Sequence, residues 1–149
     1  MLINKGFYEL DHDELYLIYK ARCDIFVVEQ TCPYPEVDEF DKLCRHIALI
    51  ENGELLAYCR LLPENSRFPE ASVGRVLATR RRQGYASVVM REAVRVAFGE
   101  WGVASLILHA QTSVVAFYEN FGFRVTSAEF LEDEIPHVEM RREGESYGK

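Results

Sequence analysis

Apolar residues recur along the first half of the chain with two different spacings. Between residues 13 and 28 they recur every three or four positions, which predicts a helix that starts near Asp13. Two shorter apolar runs follow at residues 46–50 and 55–61. Because Asn52-Gly53 between them is a strong hairpin-turn signal, these runs predict two antiparallel strands.

The second half alternates between strand-like and helix-like segments. Its predicted elements are a strand at 71–78, a turn at 79–84, a helix at 85–98, a strand at 105–110, a helix at 113–121, a strand that begins at 123–125 and a last strand at 136–140. Proline-containing segments at 31–41 and 63–69 predict loops. This order predicts an α/β (α+β) fold in which helices flank a mixed, mostly antiparallel sheet.

Length and composition favour one folded domain. The chain has 149 residues, and we expect a domain at residues 1–142 followed by a disordered tail at 143–149. Hydrophobic residues make up 48% of it, as in globular proteins. No apolar run approaches the roughly 20 residues that span a bilayer, and the N-terminus lacks the apolar core of a signal peptide. We therefore expect no membrane association and a cytoplasmic location.

The charge distribution narrows the classes of partner. The net charge is −7, from 17 basic and 24 acidic residues, which argues against a nucleic-acid-binding surface. A cationic substrate such as an amine is compatible with this charge. The arginines nevertheless cluster between Arg75 and Arg95, and such a basic patch on an acidic protein suits an anionic cofactor.

The cysteines give no signature of a metal or nucleophilic site. There are four, they form no C-x-x-C pair, and Cys44-Arg45-His46 is the one tight Cys/His pair. The sequence therefore predicts reduced thiols and no metal. A cysteine hydrolase is disfavoured, because no strand–turn–helix elbow presents Cys32 or Cys44.

The segment from Arg81 to Ala86 is the most informative. It lies between a predicted strand and a predicted helix, where free backbone N–H groups and the helix dipole favour an anion. Gly84 allows a close approach of the backbone to a phosphate, and the arginines add positive charge. The turn lacks the Gly-Lys-Ser/Thr ending of a nucleotide-binding P-loop, so a nucleotide enzyme is disfavoured.

Two motifs together resemble a known family. Arg81-x-x-Gly84-x-Ala86 is similar to the pyrophosphate signature of the GNAT acetyltransferase superfamily. The segment from Ala116 to Phe123 resembles the recurrent helix of that superfamily, which ends in Gly-Phe. The first motif alone is weak because glycine turns are common, but the pair extends the resemblance over nearly the whole chain.

The resemblance is closer still to the ElaA-like subgroup of this superfamily. Four segments are similar to its signatures: Phe26 to Tyr34, Gly74-Arg75-Val76, Ala110-Gln111, and Glu132 to Met140. The segment between Gly74 and Gly84 is slightly shorter than in the subgroup. This departure would change how the strand end meets the pantetheine arm of a cofactor.

The resemblance implies that acetyl-CoA is the acetyl-donor substrate. It places the pyrophosphate on the turn formed by Arg81, Arg82, Gln83, Gly84, Tyr85, Ala86 and Ser87. It implies that Val76, Leu77 and Ala78 pair their main-chain groups with the pantetheine amides, as an added strand would. Phe117 is a further candidate for cofactor contact. Without the resemblance, the arginines would be interpreted as a solvated basic turn.

The implied reaction is attack of a neutral amine on the acetyl thioester. Tyr118 occupies the superfamily's usual position for the general acid near the sulfur, although a packing role is the alternative. Glu29, at the end of the first predicted helix, is the candidate general base. His109 or His137 is an alternative, because the pKa of an imidazole is about 6.5, and a water chain is another. The neighbouring Gln30 is a candidate for the acceptor site.

Other polar residues are candidates for substrate binding. His109 and Gln111 share a face at the end of one predicted strand, and His137 lies on the last strand. Each could instead be a structural polar residue. Arg60 and Arg75 could hold a substrate carboxylate, or they could be paired with Glu29 or other acids.

The leading hypothesis is an acetyl-CoA-dependent N-acetyltransferase that acts on a primary amine of a small molecule or peptide by direct attack on the thioester. The alternative is a non-catalytic acyl-CoA-binding protein on the same scaffold, which the shortened segment motivates. The expected partners are acetyl-CoA and an amine, without nucleic acid or membrane. The sequence leaves open whether the protein is a monomer or a homodimer.

Overall fold

The computed structural model describes residues 1–31 and 34–144, and its strands form one mixed sheet. The strands are β1 (Leu2–Gly6), β2 (Arg45–Glu51), β3 (Glu54–Leu62), β4 (Ala71–Ala78), β5 (Ser105–Gln111), β6 (Arg124–Val125), β7 (Phe130–Glu132) and β8 (Ile135–Glu143). Their order is β1-β2-β3-β4-β5-β8-β6, with β7 paired to β8. Among the described strands, only β4 and β5 pair in parallel, so the predicted mixed, mostly antiparallel sheet is confirmed.

The three helices predicted from apolar spacing are present. They are α1 (His12–Arg22), α2 (Tyr85–Arg95) and α3 (Val115–Glu119). α1 continues as a π-helical segment at Cys23–Glu29, α2 continues similarly at Val96–Glu100, and a 3₁₀ turn at Thr112–Val114 precedes α3. Within the described residues, no helix combines the length and the apolar character needed to cross a membrane.

A capping box fixes the start of α1. The Asp11 carboxylate accepts a hydrogen bond from the Glu14 N–H at 2.8 Å, and the Glu14 carboxylate accepts one from the Asp11 N–H at 2.9 Å. These two bonds satisfy donors that a helix start would otherwise leave free.

The alternation of side chains in β2 and β3 separates two cores. On one face, Ile47 and Cys59 pack in the core to which Val89 of α2 belongs. On the other face, Ala48 packs with Ile18 of α1. Successive side chains of a strand point to opposite faces, so the two strands bind a helix on each side.

The predicted hairpin between β2 and β3 is confirmed. Asn52 and Gly53 both have positive φ, at 51° and 75°. This is the requirement of a type I′ turn, whose twist matches that of paired strands.

A gap in the sheet lies between β4 and β5. These strands pair only at Ala71 with Leu106 and at Ser72 with Ile107, and beyond those pairs they separate. A register shift in β4 accompanies the gap, with Arg75 at a φ of 52°. A bulge of this kind bends a strand and increases its twist. The edge of β4 that faces the gap is therefore left without a strand partner.

Two strands and one boundary were not predicted. β1 and β7 are short, and no turn signal marks β1 in the sequence. Glu143 was assigned to the disordered tail, but it is the last residue of β8 and pairs with Ser105. Cys32 and Pro33, in the predicted 31–41 loop and the ElaA-like signature, lie outside the described residues, as do residues 145–149.

Candidate functional site

A cleft of about 750 Å³ occupies the gap between β4 and β5. The sequence-predicted site residues that line it are Gln30, Arg60, Arg75, Val76, Leu77, Ala78, Arg81, Arg82, Gly84, Tyr85, Ala86, Ser87, His109, Gln111, Phe117, Tyr118 and His137. Gln83 and Glu29 are not among the lining residues. The fold thus brings nearly all the candidates to one cavity, from positions far apart in the sequence.

One end of the cleft is formed by the turn that precedes α2. The turn before α2 is anchored by Thr79, whose hydroxyl donates to the Leu55 carbonyl at 2.7 Å. Gly84 has a φ of 76°, and it precedes α2 with no side chain capping the helix. The N–H groups of the first turn of α2 therefore have no side-chain acceptor, and together with the helix dipole they attract negative charge.

Ion pairs hold two arginines of this turn. Arg80 forms an exposed bidentate pair with Glu54, at 2.9 and 2.6 Å. Arg81 pairs with Glu29 at the end of the π-helical segment after α1. Glu29 thus lies outside the cleft with its charge compensated. To act as a base, its carboxylate would have to leave Arg81.

Tyr118 lies at the middle of the cleft, on α3. It is 8% exposed, and its ring packs edge-on against Phe117 and near Phe123. Its hydroxyl forms no hydrogen bond within the described part of the chain, although it lines the cleft. Burial raises the pKa of Tyr118 well above its ordinary value, so the phenol stays protonated throughout the neutral range.

The other end of the cleft holds two histidines and one carboxylate. His109 on β5 donates from Nδ1 to Oε1 of Glu132 at 2.7 Å. His137 on β8 places Nε2 3.7 Å from the other oxygen of the same carboxylate. Sequence reasoning included Glu132 in a motif but gave it no role, because the β7–β8 turn that places it was not predicted.

Two glutamine side chains that line the cleft contact each other. Gln111 at the end of β5 donates from Nε2 to Oε1 of Gln30, at 3.3 Å. Both were candidates for substrate binding, and the structure places them side by side. This contact connects the end of the π-helical segment after α1 with the end of β5.

Arg60 and Arg75 are engaged by acids of the segment between residues 34 and 42. Arg60 binds Asp38 at 2.7 Å and Asp41 at 2.9 Å through Nη1. Arg75 binds Glu36 at 2.6 Å through Nε. Of the two alternatives that the sequence left open, pairing with acids is the one the structure shows.

These residues belong to a larger buried network. Arg22 of α1, which is fully buried, binds Glu36 and Asp41, each at 2.8 Å. The arginine–carboxylate cluster consists of Arg22, Arg60, Arg75, Glu36, Asp38 and Asp41. It fastens the 34–42 segment over the sheet, so that Tyr34 and Glu36 form one wall of the cleft.

Asp41, Cys44 and His46 place their polar atoms within 4.8 Å of one another, as metal ligands would. The Asp41 carboxylate, however, is taken by the arginines, and His46 contacts the Tyr58 hydroxyl at 2.6 Å through Nδ1. His46 Nε2 lies 2.8 Å from the backbone carbonyl of Asp41. This buried group is explained as internal hydrogen bonding.

Comparison with known proteins agrees with the geometry. A model of the Acetyltransferase (GNAT) family matches residues 8–123. The chain is 42% identical over 145 residues to a UPF0039 protein of Schizosaccharomyces pombe, with 95% of each chain covered. It is 34% identical over 139 residues to Protein ElaA of Escherichia coli, with 91% of each covered. A crystal structure of an acyl-CoA N-acyltransferase from Pseudomonas aeruginosa matches with a TM-score of 0.88 and 35% identity, over 95% of this chain and 99% of that one. The chain therefore belongs to the GNAT acetyltransferase family, in its ElaA-like group.

Proposed function

We propose that the protein is an N-acetyltransferase that takes the acetyl group of acetyl-CoA and transfers it to a primary amine of a small molecule or peptide. The observation that carries this proposal is the cleft between β4 and β5, which connects an anion-holding turn to the buried phenol of Tyr118. Family membership supports a CoA thioester as donor. The Pseudomonas aeruginosa protein of similar structure is described as an acyl-CoA N-acyltransferase.

Two features of the cleft fit an acyl-CoA. The uncapped start of α2, with Arg81 and Arg82 beside it, suits a pyrophosphate. The unpaired edge of β4, including Val76 and Ala78, offers main-chain donors and acceptors to the amides of a pantetheine arm. The donor would thus lie as an additional strand in the gap.

The chemistry follows from what the residues at the middle of the cleft can do. Acetyl-CoA supplies an acetyl thioester when bound. Tyr118 donates its proton to the departing thiolate, and because burial raises its pKa it holds that proton at neutral pH.

The proposal is tested by measuring CoA release with a thiol-reactive dye across a panel of primary amines, with mass spectrometry of the products. We expect at least one amine to raise CoA release and to gain one acetyl group. The Tyr118→Phe variant should lose about 100-fold or more in kcat. The matched control is Tyr16→Phe, because Tyr16 is 64% exposed on α1, and this variant should match the wild type.

Two results would contradict the proposal in different ways. If acetyl-CoA raises the melting temperature but no amine raises CoA release, the protein is a non-catalytic acyl-CoA-binding protein. If millimolar acetyl-CoA neither binds nor stabilises the fold, the cleft does not hold the donor.

A further inference from the structure

His109 is held in one orientation with one nitrogen free. Its ring lies between Phe68 and Phe130, with centroids 4.9 and 5.1 Å away. Because a carboxylate only accepts hydrogen bonds, the 2.7 Å contact with Glu132 places the hydrogen of the neutral imidazole on Nδ1. Nε2 then carries the lone pair that can accept a proton.

The free nitrogen of His109 is open to the cleft. Nε2 has no hydrogen-bond partner among the described residues. It is not fully buried either, because Arg60 Nε is the one fully buried side-chain nitrogen or oxygen among those residues that lacks a partner. His109 lines the cleft, with 18% of its side chain exposed. A substrate in the cleft can therefore reach the Nε2 lone pair.

Glu132 is kept ionised by its surroundings. Burial alone would raise its pKa, but the hydrogen bond from His109 and the charges of Arg67 and His137 outweigh burial and lower it. Arg67 contacts the same carboxylate at 3.4 Å from the loop before β4. The charged and titratable groups that face the His109–Glu132 pair are thus Arg67 and His137.

His137 is the more buried of the two histidines. Nδ1 donates to the Ile135 carbonyl at 2.7 Å, and Nε2 faces Oε2 of Glu132. Its side chain is 9% exposed. The two histidines therefore differ in their contacts: His109 is hydrogen-bonded to the carboxylate and is twice as exposed, whereas His137 lies beyond hydrogen-bond distance of it.

We propose that His109 is the general base that takes the proton from the acceptor ammonium, and that Glu132 is a positioning residue that holds the His109 tautomer and stabilises the imidazolium. This proposal rests on the proposed function and assigns its missing base. It places that role at the β5–β8 end of the cleft and makes a water chain or Glu29 unnecessary. A carboxylate behind an imidazole is an established way to orient a base.

The step balances as follows. The ammonium N–H bond breaks and its proton joins Nε2 of His109, which gives the imidazolium beside Glu132. The amine lone pair forms the new bond to the carbonyl carbon, and the C–S bond then breaks. The thiolate takes the proton of Tyr118, and the second proton of the nitrogen restores the phenol. An ammonium and a thioester become an amide, a thiol and one proton, which His109 releases to solvent.

The first arm of the test is the pH profile of kcat/KM for His109→Gln and Glu132→Gln. The first variant should lose about 100-fold or more, because the amide cannot accept the proton. The second should lose about tenfold or more, because the imidazolium that forms in the step loses its neighbouring anion. Glu134→Gln, an exposed acid in the same hairpin turn, is the matched control and should leave the profile unchanged.

The second arm uses no turnover. In protein with ¹⁵N-labelled histidine and no substrate, NMR should show neutral His109 with its hydrogen on Nδ1. In Glu132→Gln a share of the other tautomer should appear, because an amide can also donate to Nδ1. Melting temperatures and acetyl-CoA binding of each variant verify the fold. A hydrogen on Nε2 in the wild type, or a Glu132→Gln variant that keeps the wild-type tautomer and the wild-type kcat/KM, overturns the dyad. Absence of turnover with every amine refutes the proposed function and the catalytic assignment with it.

Discussion

Replacing Asp41 with Asn tests the arginine–carboxylate cluster most sharply. Asp41 is 1% exposed, and one of its oxygens accepts hydrogen bonds from Arg22 at 2.8 Å and Arg60 at 2.9 Å. Its other oxygen accepts one from the Tyr19 hydroxyl at 3.2 Å. Asn keeps the shape but removes the charge, so two buried guanidiniums lose a shared counter-charge. Removing one partner from a buried ion pair costs about 3–5 kcal/mol.

For a chain of this size, that loss corresponds to a fall in melting temperature of roughly 10 °C. Urea and thermal unfolding of the wild type and Asp41→Asn, followed by circular dichroism, measure it. The control is Glu54→Gln, which removes one carboxylate from an exposed pair with Arg80. Exposed pairs contribute little, so this variant should melt with the wild type. Equal melting temperatures for all three proteins would refute the reasoning.

The same variant has a defined pH dependence. Burial alone would raise the pKa of Asp41, but Arg22 and Arg60 outweigh it and hold that pKa below its usual value. A folded-state pKa below the unfolded value of about 3.9 means that the contribution is complete above about pH 4 and is lost as the pH falls through the folded value. The stability difference should therefore be constant from pH 5 to pH 8 and shrink at lower pH. A difference that grows below pH 4 would contradict this assignment.

Three further outcomes follow from single sites. Tyr118→Phe should lower kcat. The pH–rate profile of the wild type should show no alkaline limb below pH 9, because burial raises the pKa of Tyr118. Gly84→Ala should weaken acetyl-CoA binding, as measured by calorimetry. It should also lower the free energy of unfolding by about 1–2 kcal/mol, because the φ of Gly84 is 76°. Among the described cysteines, half-buried Cys23 should react first with iodoacetamide, because burial raises the pKa of Cys44 to about 12 and that of Cys59 further; peptide mapping tests this order.

Local signals explain which parts of the fold were predictable. Asn52-Gly53 marks its turn because both residues tolerate positive φ. The helices could be predicted because their apolar residues recur every three or four positions, which is also a local pattern. The β7–β8 turn uses Asp133 and Glu134 at φ values of 51° and 64°. These residues carry no glycine signal, so the hairpin that delivers Glu132 was not predicted.

The position of the candidate site's turn could be predicted because local backbone geometry determines it. The partners of its charged side chains could not be predicted, because they depend on tertiary contacts. The turn at Arg81 to Ala86 follows from a glycine between a strand and a helix. The roles of Arg60 and Arg75 depend on how the 34–42 segment folds back over the sheet, and no local pattern encodes that path. For the same reason the pairing of His109 with Glu132, 23 positions apart, could be found only in the structure.

A crystal structure with CoA tests the central claim most directly. The account predicts that the pantetheine lies between β4 and β5 along the edge that includes Val76, with the pyrophosphate on the N–H groups around Gly84 and the sulfur near Tyr118. A CoA bound on another surface, with the gap between β4 and β5 empty, would contradict it.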